Sequence, residues 1–293
     1  MDKMINRYFC DLRPMTMAQQ VSELTFSGKV NRIYNENGSF FVKQANNSQI
    51  IPAVASSRMY NAIGINTPLL YVAKSKKLGY TKTIEKEVGS IKNLVCELAG
   101  SNVQFAKIET KAFGKDKWAL FYDDDLIRQL LKFMLPECLE ALKDLFLVDE
   151  LRTDVDRHIN NYFFYKLPED ERYRGIIAID LEQMVIYKYC GEGRGSFESF
   201  LYYPYQSATP QQVSDELCYL QRIRNVRNLI NEGYLSTRNI NIMKRALEYD
   251  FPGEVDCVAR EAGVKYLERK CLVKPIEKLW DYNRKTIGRE LGL

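Results

Sequence analysis

The chain has 293 residues, 46% hydrophobic and 27% charged, a composition that fits a soluble globular protein with a real apolar core. Its 42 basic and 38 acidic residues leave a net charge of +4, too balanced to argue for nucleic acid, and no dense Lys/Arg block stands out. Seven scattered cysteines without a C-x-x-C pair, together with a single histidine, argue against a zinc site and a disulfide framework and for reduced thiols in the cytoplasm.

In chain order, residues 1–20 show little period and read as a lead-in. "KVNRIY" (29–34) and "SFFVKQ" (39–44) alternate as strands around the turn "NENG", where Asn37-Gly38 suits a tight hairpin. "IIPAVASSRMYNAIG" (50–64) reads as a helix, with Pro52 in its first turn and Gly64 just past its end. "TPLLYVAKS" (67–75) and "VQFAKIETKAF" (103–113) read as strands. The least charged stretch, 44–73, is broken by Arg58, Gly64 and Pro68 and is not expected to span a membrane. The N-terminus lacks the apolar core of a signal peptide, which agrees with a cytoplasmic protein and leaves open export without a cleavable signal.

After about Asp123 the pattern turns helical. "PECLEALKDLFLVDEL" (136–151) places Cys138, Leu142 and Leu145 on one face, with Leu139 and Phe146 alongside. A hairpin follows, "NYFFYK" (161–166) and "GIIAID" (175–180), joined by "LPEDERYR". From Thr209 to the end helical patterns dominate. The expected architecture is α+β and bilobal, like a kinase: a β-rich lobe over 1–115 with one helix, then a helical lobe over 116–293 that holds the hairpin.

The chemistry concentrates at "TDVDRHINNYFFY" (153–165). Asn161 begins the first hairpin strand and Asp180 ends the second. Antiparallel pairing therefore puts both at one end of the hairpin, beside the loop that carries Asp156. Two carboxylates and an amide are the set that phosphoryl transfer needs: hard oxygen ligands for Mg²⁺, and a carboxylate that orients the attacking hydroxyl. The interval from Asp156 to Asn161 is that between catalytic Asp and metal-binding Asn in the H-R-D-x-x-x-x-N kinase loop. Polar turn chemistry is the plain alternative for any one of these residues.

With its Asp-Arg-His order, "DRHINN" resembles the HipA-like kinases and, more distantly, the phosphoinositide kinases. The resemblance covers roughly residues 24–200. It implies an ATP- and Mg²⁺-dependent serine/threonine protein kinase, with Asp156 catalytic, Asn161 and Asp180 binding Mg²⁺, and Arg157 and His158 structural members of the loop. Protein as substrate comes from this resemblance alone.

Lys43, at the end of "SFFVK", matches the strand lysine that grips nucleotide phosphates, or is a solvated strand-end lysine. "TFSGK" offers Ser27, Gly28 and Lys29 as a phosphate-covering loop, or a plain turn. "CGEGRGSFESF" (190–200) stands in the activation-loop position, with Ser196 and Ser199 as phosphorylation candidates, or is a flexible surface loop. Two departures stand out. The helix over 50–64 contains no acid to pair with Lys43, and Asp180 is followed by Leu181-Glu182 instead of Phe-Gly. They keep open a pseudokinase that binds nucleotide or a regulatory protein partner without turnover. A kinase of a lipid or small-molecule hydroxyl is the third reading.

Overall fold

The computed structural model describes residues 9–11, 30–35, 38–45, 47–73, 92–97, 104–108, 133–152, 154, 161–181 and 235–292, and elements are numbered over these. Two four-stranded antiparallel sheets and five helices make up the described fold. The first sheet has the order β2(Val30–Asn35), β3(Gly38–Ala45), β5(Lys92–Glu97), β4(Leu69–Ala73). Asn35 lies opposite Gly38 in the β2–β3 hairpin. The expectation for Asn37 lies outside the described residues. β5 was not expected from the sequence, yet it pairs with both β3 and β4 and so occupies the middle of the sheet.

The second sheet has the order β1(Phe9–Asp11), β6(Gln104–Ile108), β7(Tyr162–Lys166), β8(Gly175–Ala178). The hairpin expected in the helical part is thus β7–β8, and it is extended by two strands from far earlier in the chain. Phe105 of β6 lies opposite Tyr165 of β7, so a strand grouped by sequence with the first lobe adds to the hairpin's own sheet.

α1(Asn47–Ile63) begins three residues before its expected start, which leaves Pro52 inside the helix. Proline there removes its own N–H bond and crowds the carbonyl four residues back, a cost offset by the burial of Ile50 and Ile51 in the turn around it. The end falls where Gly64 placed it. Gly64 adopts φ +96°, Ile65 N–H donates to the Tyr60 carbonyl at 2.8 Å and Gly64 N–H to that of Asn61 at 3.2 Å, a Schellman closure. Residues on every face of α1 are buried, from Ile50 to Ser57 and on to Met59, Tyr60 and Ile63. An unpaired acid would be costly at most positions of such a helix, whose exposed residues are Asn61 and Ala62 near its end.

α2(Pro136–Arg152) buries Cys138, Leu142, Leu145 and Phe146 on the expected stripe, and burial pushes the Cys138 thiol up. It packs against α3(Thr237–Glu248) and α5(Tyr266–Glu290), while α1 packs against α4(Phe251–Glu261) and β4. Arg58 of α1 bridges Glu254 at 2.8 Å and Glu261 at 2.6 Å, both on α4. Among the described residues no helix is long and apolar enough to cross a membrane. Cys138, Cys257 and Cys271 are free thiols.

Ser236 caps α3 with a capping box completed by Asn239. Asn239 is fully buried, and its Nδ2 donates at 2.7 Å to Asp144 of α2, a carboxyl that burial pushes up and that Asn239 and Arg238 pull back down. Asn239→Ala is expected to cost about 1–3 kcal/mol, because it strands a buried carboxylate oxygen as well as losing the cap. Arg238→Ala, at a half-exposed guanidinium 3.0 Å from the same carboxyl, should cost about 0–1 kcal/mol. Urea unfolding of the two variants checks this order.

Candidate phosphoryl-transfer site

The β7–β8 turn sets the hairpin register and hence the site. Asp170 closes it: its carboxylate accepts from Leu167 N–H at 3.1 Å and from Arg174 Nε at 2.7 Å, and its own N–H donates to the Leu167 carbonyl. The Arg174 guanidinium holds the Asp170 carboxyl at about 2, well below the usual range. A Cβ at Gly175, where β8 begins, would meet a Tyr165 ring carbon at 2.7 Å, so a larger residue there would have to displace that ring.

From this register Tyr162 falls opposite Ala178, and Ile179 N–H donates to the Asn161 carbonyl at 2.9 Å. Asn161 and Asp180 therefore stand at the same end of the hairpin, as the sequence indicated. Asn161 is buried and Asp180 is exposed. Asp180 also adopts φ +59°, the one non-glycine residue at positive φ among the described residues. Aspartate enters that region more readily than most residues, and a side chain held there is turned by the backbone instead of by the strand's pleat.

The other expected site residues stand differently. Lys43 lies in β3, opposite Val30 on one side and Leu94 on the other. Asp156, Ser27, Gly28 and Lys29 lie outside the described residues, as do Arg157, His158, Ser196 and Ser199. Asp154 is described. It is buried two residues before Asp156, and its N–H donates to the Asp149 carbonyl at 3.0 Å. Among the described residues no cluster of three His, Cys, Asp or Glu side chains forms a metal cage. One carboxylate and one amide on a shared hairpin end fit a hard cation that keeps most of its waters and its nucleotide oxygens.

Sequence reasoning missed the buried polar network behind this end. Arg152, the last residue of α2, is fully buried. Its Nε donates to Tyr60 Oη at 3.0 Å. Its Nη1 donates to Ser56 Oγ at 3.0 Å and to the Leu181 carbonyl at 2.7 Å, and its Nη2 pairs with the Asp154 carboxylate. Tyr60 in turn donates to Asp149 at 2.5 Å. The loop after α1 is also tied to the hairpin: Ala178 N–H donates to the Asn66 carbonyl and Thr67 Oγ1 to the Ala178 carbonyl. One signal for Arg152 was present in the sequence, since it lies seven residues, two helical turns, after Leu145 on the buried stripe of α2.

These features make a mixed α+β fold. No protein-family model matches the chain, and no curated protein matches it in sequence. Among solved structures it is similar to the Helicobacter pylori proinflammatory kinase CtkA, with a TM-score of 0.50 at 12% identity, over 91% of this chain and 96% of that one. It is also similar to HipA of Shewanella oneidensis MR-1, solved with HipB and operator DNA, with a TM-score of 0.50 at 11% identity, over 95% of this chain and 72% of that one. At such identities the likeness is one of fold.

Proposed function

We propose that this protein is an ATP- and Mg²⁺-dependent phosphotransferase of the HipA-like type that acts on serine or threonine hydroxyls of a protein. The observation that carries the reading is the placement of Asn161 and Asp180 at one hairpin end, in a fold similar to that of solved kinases. Asn161 and Asp180 would hold Mg²⁺, which supplies charge neutralisation on the phosphates when bound. Asp156 orients the acceptor hydroxyl and takes its proton as the oxygen–phosphorus bond forms and the bridging bond to the β-phosphate breaks. Lys43 holds the nucleotide phosphates, with Ser27, Gly28 and Lys29 covering them.

In this reading residues 1–115 form the lobe on the phosphate side and 116–293 the lobe with the catalytic loop. β6 crosses that division by pairing with β7, so the two share a sheet. A cytoplasmic setting, and a regulatory protein partner, belong to the same reading. A second reading, nucleotide binding without turnover, is favoured by the absence of any acid in α1.

Transfer from γ-labelled ATP with Mg²⁺, to the protein itself and to a generic acceptor protein, separates the two. Label that appears with wild type and vanishes with Asp180→Ala upholds the kinase. Mg²⁺-dependent ATP binding that Asp180→Ala abolishes, without label in either, upholds the pseudokinase. No ATP binding at all rejects both.

A further inference from the structure

We propose that Arg152 is a positioning residue for the phosphoryl-transfer site, and that it couples α1 to the Asp180 turn in place of a helix acid. The inference rests on the phosphotransferase reading above. It starts from the requirement that a fully buried guanidinium have all its donors answered. The fork of Arg152 answers them in three directions. Towards α1 it reaches Tyr60 and Ser56. Towards the catalytic loop it reaches Asp154, two residues before Asp156. Towards the metal-binding end it reaches the carbonyl of Leu181, the residue after Asp180.

Each direction fixes something the chemistry needs. The Leu181 contact holds the carbonyl one residue beyond Asp180 and so restrains the turn that carries its positive φ. The Asp154 contact, with the Asp154–Asp149 backbone bond, sets where the loop towards Asp156 departs from α2. The α1 contacts make both depend on the docking of that helix. Ser56 also donates to the Pro52 carbonyl at 2.7 Å, and Tyr60 to Asp149, so neither hydroxyl swings free of the network. The absence of an acid in α1 then marks a different connection: the helix reaches the hairpin end through Arg152.

The test measures ATP binding by calorimetry over a series of Mg²⁺ concentrations, for wild type, Arg152→Lys, Tyr60→Phe and Leu272→Ala. A lysine has a point charge in place of the planar fork and cannot reach three directions at once. Tyr60→Phe keeps the ring and removes only the hydroxyl. Leu272→Ala truncates the core within α5, touches none of the Arg152 partners, and serves as the control for lost stability. The expected result is a rise of about 10-fold in the Mg²⁺ needed for half-maximal binding in Arg152→Lys and a smaller rise in Tyr60→Phe. Metal-free ATP binding in both, and the Mg²⁺ requirement of Leu272→Ala, stay as in wild type. If Arg152→Lys does not fold, Tyr60→Phe decides. An unmoved Mg²⁺ requirement in the folded variants, or an equal rise in Leu272→Ala, overturns the proposal and leaves the phosphotransferase reading standing. Wild type that binds ATP without regard to Mg²⁺ overturns both.

Discussion

Asp156→Ala is expected to lower phosphate transfer by about 10²–10⁴-fold while leaving Mg²⁺-dependent ATP binding unchanged. The reasoning separates two tasks. Asn161 and Asp180 stand at the same hairpin end, and in the proposed reading they serve the metal and through it the nucleotide. Asp156 lies between Asp154 and Asn161 in the sequence, and in the same reading its task is to orient and deprotonate the acceptor hydroxyl. Removing a group that acts only as the hydroxyl moves towards the phosphorus changes the rate and spares the ground-state complex. Asp180→Ala should do the opposite and lose binding and transfer together. Calorimetry beside a γ-label assay reads both quantities on each variant. Full transfer by Asp156→Ala would remove this residue from the mechanism and return "DVDRHINN" to ordinary turn chemistry.

What could be read in the sequence follows from how local each signal is. The β7–β8 hairpin was legible because two apolar, aromatic-rich runs and a polar turn lie within twenty residues, and the closing contacts of Asp170 are local too, although β8 ends at Ala178, two residues before the expected Asp180. Gly64 was legible because a helix that ends in the left-handed region calls for glycine within a single turn. β5 was not. "KNLVCE" mixes polar and apolar residues without a clean period, and it is a strand because β3 and β4 receive it on both edges. β1 has three residues, too few for any period, and exists by pairing with β6. Arg152 fails for the same reason on a larger scale. In isolation it is a charge in a helix's last turn, a favourable place beside the C-terminal dipole. Only the arrival of Tyr60 and Ser56, 92 and 96 residues earlier in the chain, turns it into a buried junction.

Phe251→Ala is expected to cost about 3–5 kcal/mol and to weaken ATP binding although it lies in helices that carry no motif. Phe251 is fully buried at the start of α4, with its ring centroid 5.0 Å from that of Trp280 on α5. Alanine there leaves a cavity between the two helices, and α4 is the surface against which α1 packs. Since α1 supplies Ser56 and Tyr60 to Arg152, loosening α4 should reach the Asp180 turn through that chain of contacts. Arg58→Ala offers the contrast, because it removes the ion pairs between α1 and α4 and leaves their apolar contact. The Arg58 side chain is 30% exposed and its partners Glu254 and Glu261 are 22% and 47% exposed, so each pair contributes about 0–1 kcal/mol. Thermal and urea unfolding should therefore show a large loss for Phe251→Ala and a small one for Arg58→Ala. Equal losses would mean that the salt bridges, and not apolar burial, seat α1 on the C-terminal helices. The dependence of the site on those helices would then vary with ionic strength, which burial by itself does not.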